Sequence, residues 1–168
     1  MLRKFIFCCK GAAAAEMALI LPFALLLVYT SLEAGHYMYQ RHQVVKGLRD
    51  GARFAARQSF DDINCRSGTA STVPNAVETE IISVTRTGAL STSSVLPRVK
   101  NWAATDITVA ITCPTAAQSQ TGMFDATERA AIVTVSTDFT YDALFNGLGV
   151  LDDSIHLIAD QQATVMGI

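Results

Sequence analysis

The feature that most constrains this chain is an uninterrupted apolar segment near its N-terminus. Ala12 to Leu32 is 21 residues long and carries one formal charge, on Glu16. As a helix that rises ~1.5 Å per residue, the segment is about 31 Å long, close to the hydrocarbon thickness of a bilayer. The sequence therefore predicts a transmembrane or assembly helix over residues 12–32.

Glu16 requires a partner in such a helix. A carboxylate costs roughly 2.5 kcal/mol or more near the middle of a membrane helix and is normally paired there. Cleavage between Gly11 and Ala12 would supply that partner, because the new α-amino group of Ala12 lies about one helical turn from Glu16. The same cut would remove the basic leader, residues 1–11. The alternative is that Gly11 simply begins the helix.

Two groups of residues resemble known families. The basic leader, the glycine, the small residues, the glutamate and the apolar run resemble the processing site of type IV prepilins and pseudopilins. The run from Leu32 to Ala56 resembles the TadE/TadF-like minor pseudopilins of tight-adherence (Flp-type) pilus systems. That family has a Glu-x-Gly element followed by an Arg-(Asp/Glu)-Gly-Ala-Arg-x-Ala element. The corresponding residues here are Glu33 and Gly35, then Arg49, Asp50, Gly51, Ala52, Arg53 and Ala55.

The resemblance implies a structural or assembly subunit of a Tad (Flp) pilus system that supports pilus biogenesis and surface adherence. A prepilin peptidase would cut after Gly11. Glu16 would pair with the amine of its own or a neighbouring Ala12 and set the register between subunits. The implied partners are other pilins and pseudopilins, an inner-membrane assembly platform, a cytoplasmic assembly ATPase and the peptidase. The implied location is the bacterial inner membrane, with a single span and a periplasmic or extracellular C-terminal domain.

Charge counting alone does not decide the orientation of the span. Basic residues occur on both sides of it: Arg3, Lys4 and Lys10 before, and Arg41, Lys46, Arg49 and Arg53 after. The leader charges abut the apolar run, as in an export signal, whereas the later ones begin some nine positions beyond it. The leader therefore favours a domain outside the cytoplasm.

The helical pattern is predicted to continue over residues 33–60 as an amphipathic helix. One side carries an apolar stripe, and the other carries basic residues: His42, Lys46, Arg49, Arg53 and Arg57. The basic residues fit a solvated helix face, or else contact with acidic residues of a neighbouring subunit or with lipid head groups. Gly47 and Gly51 share a face and would allow close approach of the chain's own sheet or of another pilin helix.

The remaining residues, 61–168, are predicted to form an extracytoplasmic α+β domain. Asn75 is expected to cap a second helix that ends near Arg86. Alternation of apolar residues predicts strands over 106–113, 130–141 and 155–165, with a short helix or apolar loop over 142–151. The expected fold is pilin-like: a long N-terminal membrane-spanning helix packed on a small antiparallel sheet of about three strands.

Composition and residue spacing exclude several kinds of chemistry. A net charge of −2 with 17% charged residues gives no nucleic-acid signature. The three histidines and four cysteines show no zinc spacing, and no glycine-rich phosphate loop is present, so no enzyme, metal or cofactor is expected. Cys65 and Cys113 are expected to form a disulfide if the domain is extracytoplasmic; two separate buried thiols are the alternative.

A second class of function stays open at this stage, namely an extracytoplasmic binding module unrelated to pili. Such a module would be anchored by the uncleaved apolar segment, or secreted after cleavage near Ala34 by an ordinary signal peptidase. Leu32 and Glu33 make a poor small-residue cleavage site. The length of the mature protein separates these possibilities.

Overall fold

The structure is a computed structural model that describes residues 11–66, 69–90, 95–115, 128–145 and 154–167. Two helices and five strands are found there: α1 (Ala12–Ala55), β1 (Cys65–Arg66), α2 (Asn75–Thr87), β2 (Ile107–Thr112), β3 (Glu128–Arg129), β4 (Ile132–Thr140) and β5 (His156–Thr164). A 3-10 turn over Ala104–Asp106 precedes β2. Residues 1–10 of the predicted leader and residues 146–151 of the predicted loop lie outside the described residues.

Helix α1 has two halves with different surroundings. Residues 11–29 are exposed along their whole length, and Glu33 is the first buried residue of the helix. Among the described residues, α1 is the helix that is long and apolar enough to cross a membrane, with a mean hydropathy of 2.0 over a window of which none is buried. The second half instead packs on α2, β4 and β5.

Helix α1 ends at Ala55, before the predicted limit of residue 60. The N–H groups of Arg57 and Gln58 donate to the carbonyls of Phe54 and Ala55, three residues back, at 3.1 Å each. These bonds tighten the chain beyond the helix and use carbonyls that the helix leaves free. The chain then turns towards β1.

The principal sheet is antiparallel with the order β2-β4-β5, and β1 pairs with β3 in a separate two-residue ladder. The register places Val135 of β4 opposite Val109 of β2 and Gln161 of β5. Residues that the alternation predicted to face the core, including Val133 and Phe139, are buried there. The predicted three-stranded sheet and the α+β class are confirmed.

Trp102 is the largest fully buried side chain, although no strand or helix pattern marks it. Its indole Nε1–H donates to Thr137 Oγ1 at 2.9 Å, and its ring stacks on Phe139 with 5.8 Å between centroids. The Thr137 hydroxyl in turn donates to the Asp106 carbonyl at 2.8 Å. The loop before β2 is therefore part of the core.

The small residues Gly47 and Gly51 of α1 face helix α2. The prediction was different, since it placed the chain's own sheet or another pilin helix against them. A Cβ atom added at Gly47 would overlap the Thr85 carbonyl oxygen, and one added at Gly51 would overlap Thr85 Oγ1. Ala52 and Ala55 are also buried on α1. The two helices approach so closely because no side chain stands between them.

The start of α2 differs by one residue from the prediction. Asn75 is the first helical residue and Pro74 the cap, because Glu78 N–H already donates to the Pro74 carbonyl at 2.9 Å. Gly88 caps the end of the helix, close to the predicted end near Arg86. It has a left-handed φ of 81° and its N–H donates to Val84 O at 2.8 Å, a conformation that glycine adopts without steric cost.

Cys65 and Cys113 are joined by a disulfide with 5.6 Å between their Cα atoms. This agrees with the pairing expected from the sequence. The bond links β1 to the residue directly after β2, across 48 positions of sequence. Closing a loop of this length restricts the unfolded chain and stabilises a domain by about 2–4 kcal/mol.

We predict that Gly47→Ala destabilises the domain by about 1–3 kcal/mol, because the added methyl group meets backbone that cannot move aside easily. Trp102 fluorescence during urea unfolding of the detergent-solubilised protein measures this loss. Gly35→Ala is the matched control, since a Cβ there has no neighbour within 4 Å. Equal unfolding midpoints for the two variants would contradict the close contact of α1 with α2.

Candidate assembly site

The described residues contain one buried carboxylate on α1, that of Glu33, directly after the apolar segment. Its side chain is 2% exposed. Tyr141 Oη–H donates to Glu33 Oε1 at 2.6 Å, the Leu144 N–H donates to the same oxygen at 3.1 Å, and the Phe145 N–H donates to Oε2 at 3.1 Å. Both carboxylate oxygens are therefore occupied, and they hold the chain after β4 against the helix.

Tyr141 is fixed from both sides. Its N–H donates to the Ile155 carbonyl at 2.8 Å, which continues the pairing of β4 with β5 by one step. Its ring meets the ring of Tyr37 edge-on at 5.3 Å and that of His36 at 6.0 Å. The end of the sheet thus positions the Tyr141 hydroxyl within hydrogen-bonding distance of Glu33 on α1.

The environment favours the charged form of Glu33. Burial by itself raises the pKa of this carboxyl. The hydrogen bonds from Tyr141 and the two backbone N–H groups, together with nearby His36, outweigh that effect, so the pKa lies below its usual value. Burial and the Glu33 carboxylate raise the pKa of Tyr141. A neutral phenol therefore donates to a carboxylate at neutral pH.

Gln40 lies on the same side of α1, two turns further along. It is 6% exposed, and its Nε2 lies 2.7 Å from His36 Nε2 and 3.5 Å from the Asp142 carbonyl oxygen. Glu33 and Gln40 are thus two polar groups on a helix face that continues into the apolar core at Val44 and Leu48.

The carboxylate of Glu33 and its three hydrogen-bond donors form one connected group. We call these residues, Glu33, Tyr141, Leu144 and Phe145, the Glu33 junction.

The second family element also has structural contacts. Asp50 Oδ2 accepts a hydrogen bond from Arg98 Nη2 at 2.7 Å, and both side chains are largely shielded from solvent. The Arg98 N–H donates to the Arg86 carbonyl at 2.8 Å. Asp50 therefore fastens the loop after α2 to α1, while Gly51 allows the contact with α2 itself.

Arg49 and Arg53 of the same element point outward. They belong to the basic residues predicted along α1, His42, Lys46, Arg49, Arg53 and Arg57, all of which are exposed. Within the described ranges none of the five forms an ion pair. This placement agrees with a solvated helix face, and it also leaves the cations available to a partner.

Gly11, Ala12 and Glu16 lie on the exposed half of α1. Gly11 caps the helix, without a side-chain hydrogen bond. Glu16 has no hydrogen-bond or ion-pair partner in the part of the chain that the structure describes. The two glutamates that the sequence marked therefore differ in environment. Glu33 is hydrogen-bonded inside the domain, and Glu16 lies on the exposed half of α1.

The described surface also has an open groove of about 570 Å³ beside the end of the sheet, bordered by Asn101, Asp106, Asp138 and His156. On its rim, His156 Nδ1 lies 2.6 Å from Asp138 Oδ1. No group of three or more His, Cys, Asp or Glu side chains is placed to hold a metal ion among the residues described.

The sequence marked Glu33 as a motif residue but assigned it no contact, and Tyr141 was only the last residue of the strand predicted over 130–141. A signal was present in the spacing. Glu33, Tyr37, Gln40 and Val44 follow one another at intervals of four, three and four, so the glutamate shares the face that packs on the sheet. Its partners could not be identified, because they lie more than 100 positions away in sequence.

Comparison with known proteins gives one family match. The family described as TadE-like protein matches residues 11–53, which include nearly all of α1 and none of the sheet. This confirms the resemblance drawn from the sequence and is consistent with a protein associated with Tad pilus systems. No curated protein and no solved structure matches the chain.

We predict that Glu33→Gln destabilises the domain by about 1–3 kcal/mol, since one amide oxygen cannot accept from all three donors and the amide N–H₂ faces at least one of them. Urea unfolding measures the loss. Tyr141→Phe removes the phenol donor alone and should cost less. The double variant should lose less than the sum of the two, because the residues interact directly.

Glu80→Gln is the matched control for this series, because Glu80 is an exposed glutamate of α2. It should leave the unfolding midpoint unchanged. Additive effects of the Glu33 and Tyr141 substitutions would contradict the contact between them.

The lowered pKa of Glu33 predicts an acid-dependent contribution to stability. A depressed folded-state pKa contributes stability that is complete above the unfolded-state pKa and is lost as the pH falls through the folded-state value. The free energy of unfolding of the wild type should therefore fall more steeply than that of Glu33→Gln as the pH drops below about 4.3, the usual glutamate pKa. Parallel pH profiles for the two proteins would contradict the assignment.

Proposed function

We propose that this chain is a minor pseudopilin, a structural and assembly subunit of a Tad (Flp) pilus system that supports pilus biogenesis and surface adherence. The observation that carries the proposal is the coincidence of the TadE-like match with α1. The matched helix has a bare apolar half and a half packed on the chain's own domain. A subunit built in this way can leave its first half free for the bilayer or for other pilin helices.

In this proposal a prepilin peptidase cuts between Gly11 and Ala12. The exposed start of α1 is compatible with access by such an enzyme. The cut would create an amine about one turn, ~6 Å, from Glu16 along the helix. Pairing with that amine, or with the amine of a neighbouring subunit, would neutralise a carboxylate that is costly in an apolar setting.

Pairing between neighbours would also set their relative height. Glu16 is the single formal charge of the segment from Ala12 to Leu32, so a neighbouring amine has one position at which an ion pair forms. Displacing the helices along their axes would leave both charges unpaired in an apolar environment. The basic residues of α1, beyond the span, would provide a further contact surface towards acidic groups of other subunits.

The Glu33 junction favours this reading over a secreted binding module. A cut near Ala34 would remove Glu33 and leave the N–H groups of Leu144 and Phe145 and the Tyr141 hydroxyl without their acceptor. These donors would exchange a charged acceptor for water, and the end of β4 would lose this attachment to α1. The domain therefore retains its own contacts only when residue 33 and the helix stay attached.

The span would lie in the bacterial inner membrane with the domain outside the cytoplasm, a compartment that suits the disulfide of Cys65 and Cys113. Partners would be the inner-membrane assembly platform, other pilins and pseudopilins, and the peptidase. The role is structural, with no catalytic chemistry assigned to any residue.

The mature N-terminus tests processing directly. Intact mass of protein from native membranes should give a chain that begins at Ala12 when the prepilin peptidase is present and at Met1 when it is absent. A mature chain that begins near Gly35 would support secretion, and retention of Met1 in both strains would contradict processing.

Glu16→Gln tests the register role. It should reduce pilus assembly while leaving the amount of membrane-inserted protein unchanged, because the amide cannot form the ion pair. Ser31→Ala is the control, since the Ser31 hydroxyl donates to the Val28 carbonyl of its own helix. Normal piliation of the Glu16→Gln strain would contradict the pairing.

A further inference from the structure

The turn at residues 143–145 touches α1 inside the apolar segment. The ring of Phe145 meets the ring of Tyr29 edge-on, with 5.1 Å between centroids. Tyr29 precedes Leu32, the end of the apolar segment, by three residues, which is about 4.5 Å along a helix. The domain therefore reaches back along α1 past the level at which the apolar helix ends.

We propose that this turn is a second membrane contact, with Leu144 and Phe145 entering the interfacial layer of the bilayer beside Tyr29. The inference rests on the proposed function, because it takes residues 12–32 as the membrane span. The domain would then sit directly on the lipid surface, held at the span and at the turn, and would not stand away from it on a flexible stalk.

The side chains of the turn suit this environment. Leu144 is 54% exposed and lies at the same end of the domain as Leu32, which is 53% exposed. Tyr29 has an apolar ring with a polar hydroxyl, the kind of side chain that is enriched at the level of lipid head groups. Apolar groups left exposed beside a membrane span gain from contact with acyl chains.

The backbone of the turn is also prepared for an apolar medium. Peptide N–H groups at membrane depth must be hydrogen-bonded, because no water is available there. The N–H groups of Leu144 and Phe145 are the two that donate to the Glu33 carboxylate. The residues proposed to meet lipid thus have their backbone donors satisfied within the protein.

The carboxylate that precedes the turn in sequence, that of Asp142, is also paired. Asp142 Oδ2 lies 3.3 Å from Lys100 Nζ, and the Lys100 side chain is 80% exposed. An unpaired carboxylate would be repelled by anionic head groups, whereas this pair brings a cation to the same edge of the domain. Lipid is the favoured occupant because the contact of Phe145 with Tyr29 continues the surface of the span itself.

Tryptophan quenching by brominated lipid tests the proposal on the full mature chain. The protein is reconstituted in vesicles of phosphatidylcholine and phosphatidylglycerol, brominated either near the head group or near the end of the acyl chain. Leu144→Trp is the test variant. Phe23→Trp, 71% exposed in the middle of the apolar segment, reports the span, and Ile158→Trp, 69% exposed on β5, reports the outer face of the sheet. The native Trp102, which is buried, provides a constant background.

The expected result is a loss of Leu144→Trp emission with lipid brominated near the head group, a smaller loss with the deeper label, and none for Ile158→Trp. Phe23→Trp should respond most to the deeper label. If Phe23→Trp is quenched and Leu144→Trp is instead quenched by aqueous iodide, the turn lies in water and this inference is wrong. Protection of Leu144→Trp from both quenchers would mean that protein covers it, which also overturns the inference. An unquenched Phe23→Trp would overturn the membrane span, and with it the proposed function's anchor.

Discussion

The fold depends on one buried carboxylate, because Glu33 is the first residue of α1 that the domain buries. Burial of a charge is costly unless every oxygen has a donor. Three donors from the end of β4 and the following turn supply that compensation. The junction consequently fixes the sheet at one height and one rotation on the helix. If the sheet were displaced along α1, the Glu33 carboxylate and its three donors would lose their hydrogen bonds.

Further along α1 the attachment becomes close packing instead of hydrogen bonding. Gly47 and Gly51 admit α2 to backbone contact, and Asp50 binds Arg98 in the loop beyond it. The two family elements thus have separate roles: the first joins the helix to the sheet, and the second joins it to α2. Together they leave the opposite face of the helix to exposed cations, and the bare half of α1 to the membrane or to neighbouring subunits. The proposed assembly role needs both of these free surfaces on one subunit.

Periodicity in the sequence predicted the α+β class and the three-stranded sheet correctly. It also predicted the limits of the strands to within about two residues, because each strand has one buried face. It was not enough for Trp102, which reaches the core from a loop and has no periodic neighbours. It also assigned the wrong partner to Gly47 and Gly51, since small residues indicate close approach without saying what approaches. The contacts of Glu33 depend on residues far away in sequence, so the local pattern could only show that its side chain faces the domain.

Amide hydrogen exchange of Leu144 and Phe145 tests the central claim most directly, because these two N–H groups report the junction without reference to pili or membranes. In the wild type both amides should exchange slowly, and in Glu33→Gln they should exchange much faster, while the amide of Val135 in the central strand keeps its protection. Rapid exchange of Leu144 and Phe145 in the wild type, or equal rates in the two proteins, would contradict a carboxylate junction between the helix and the domain.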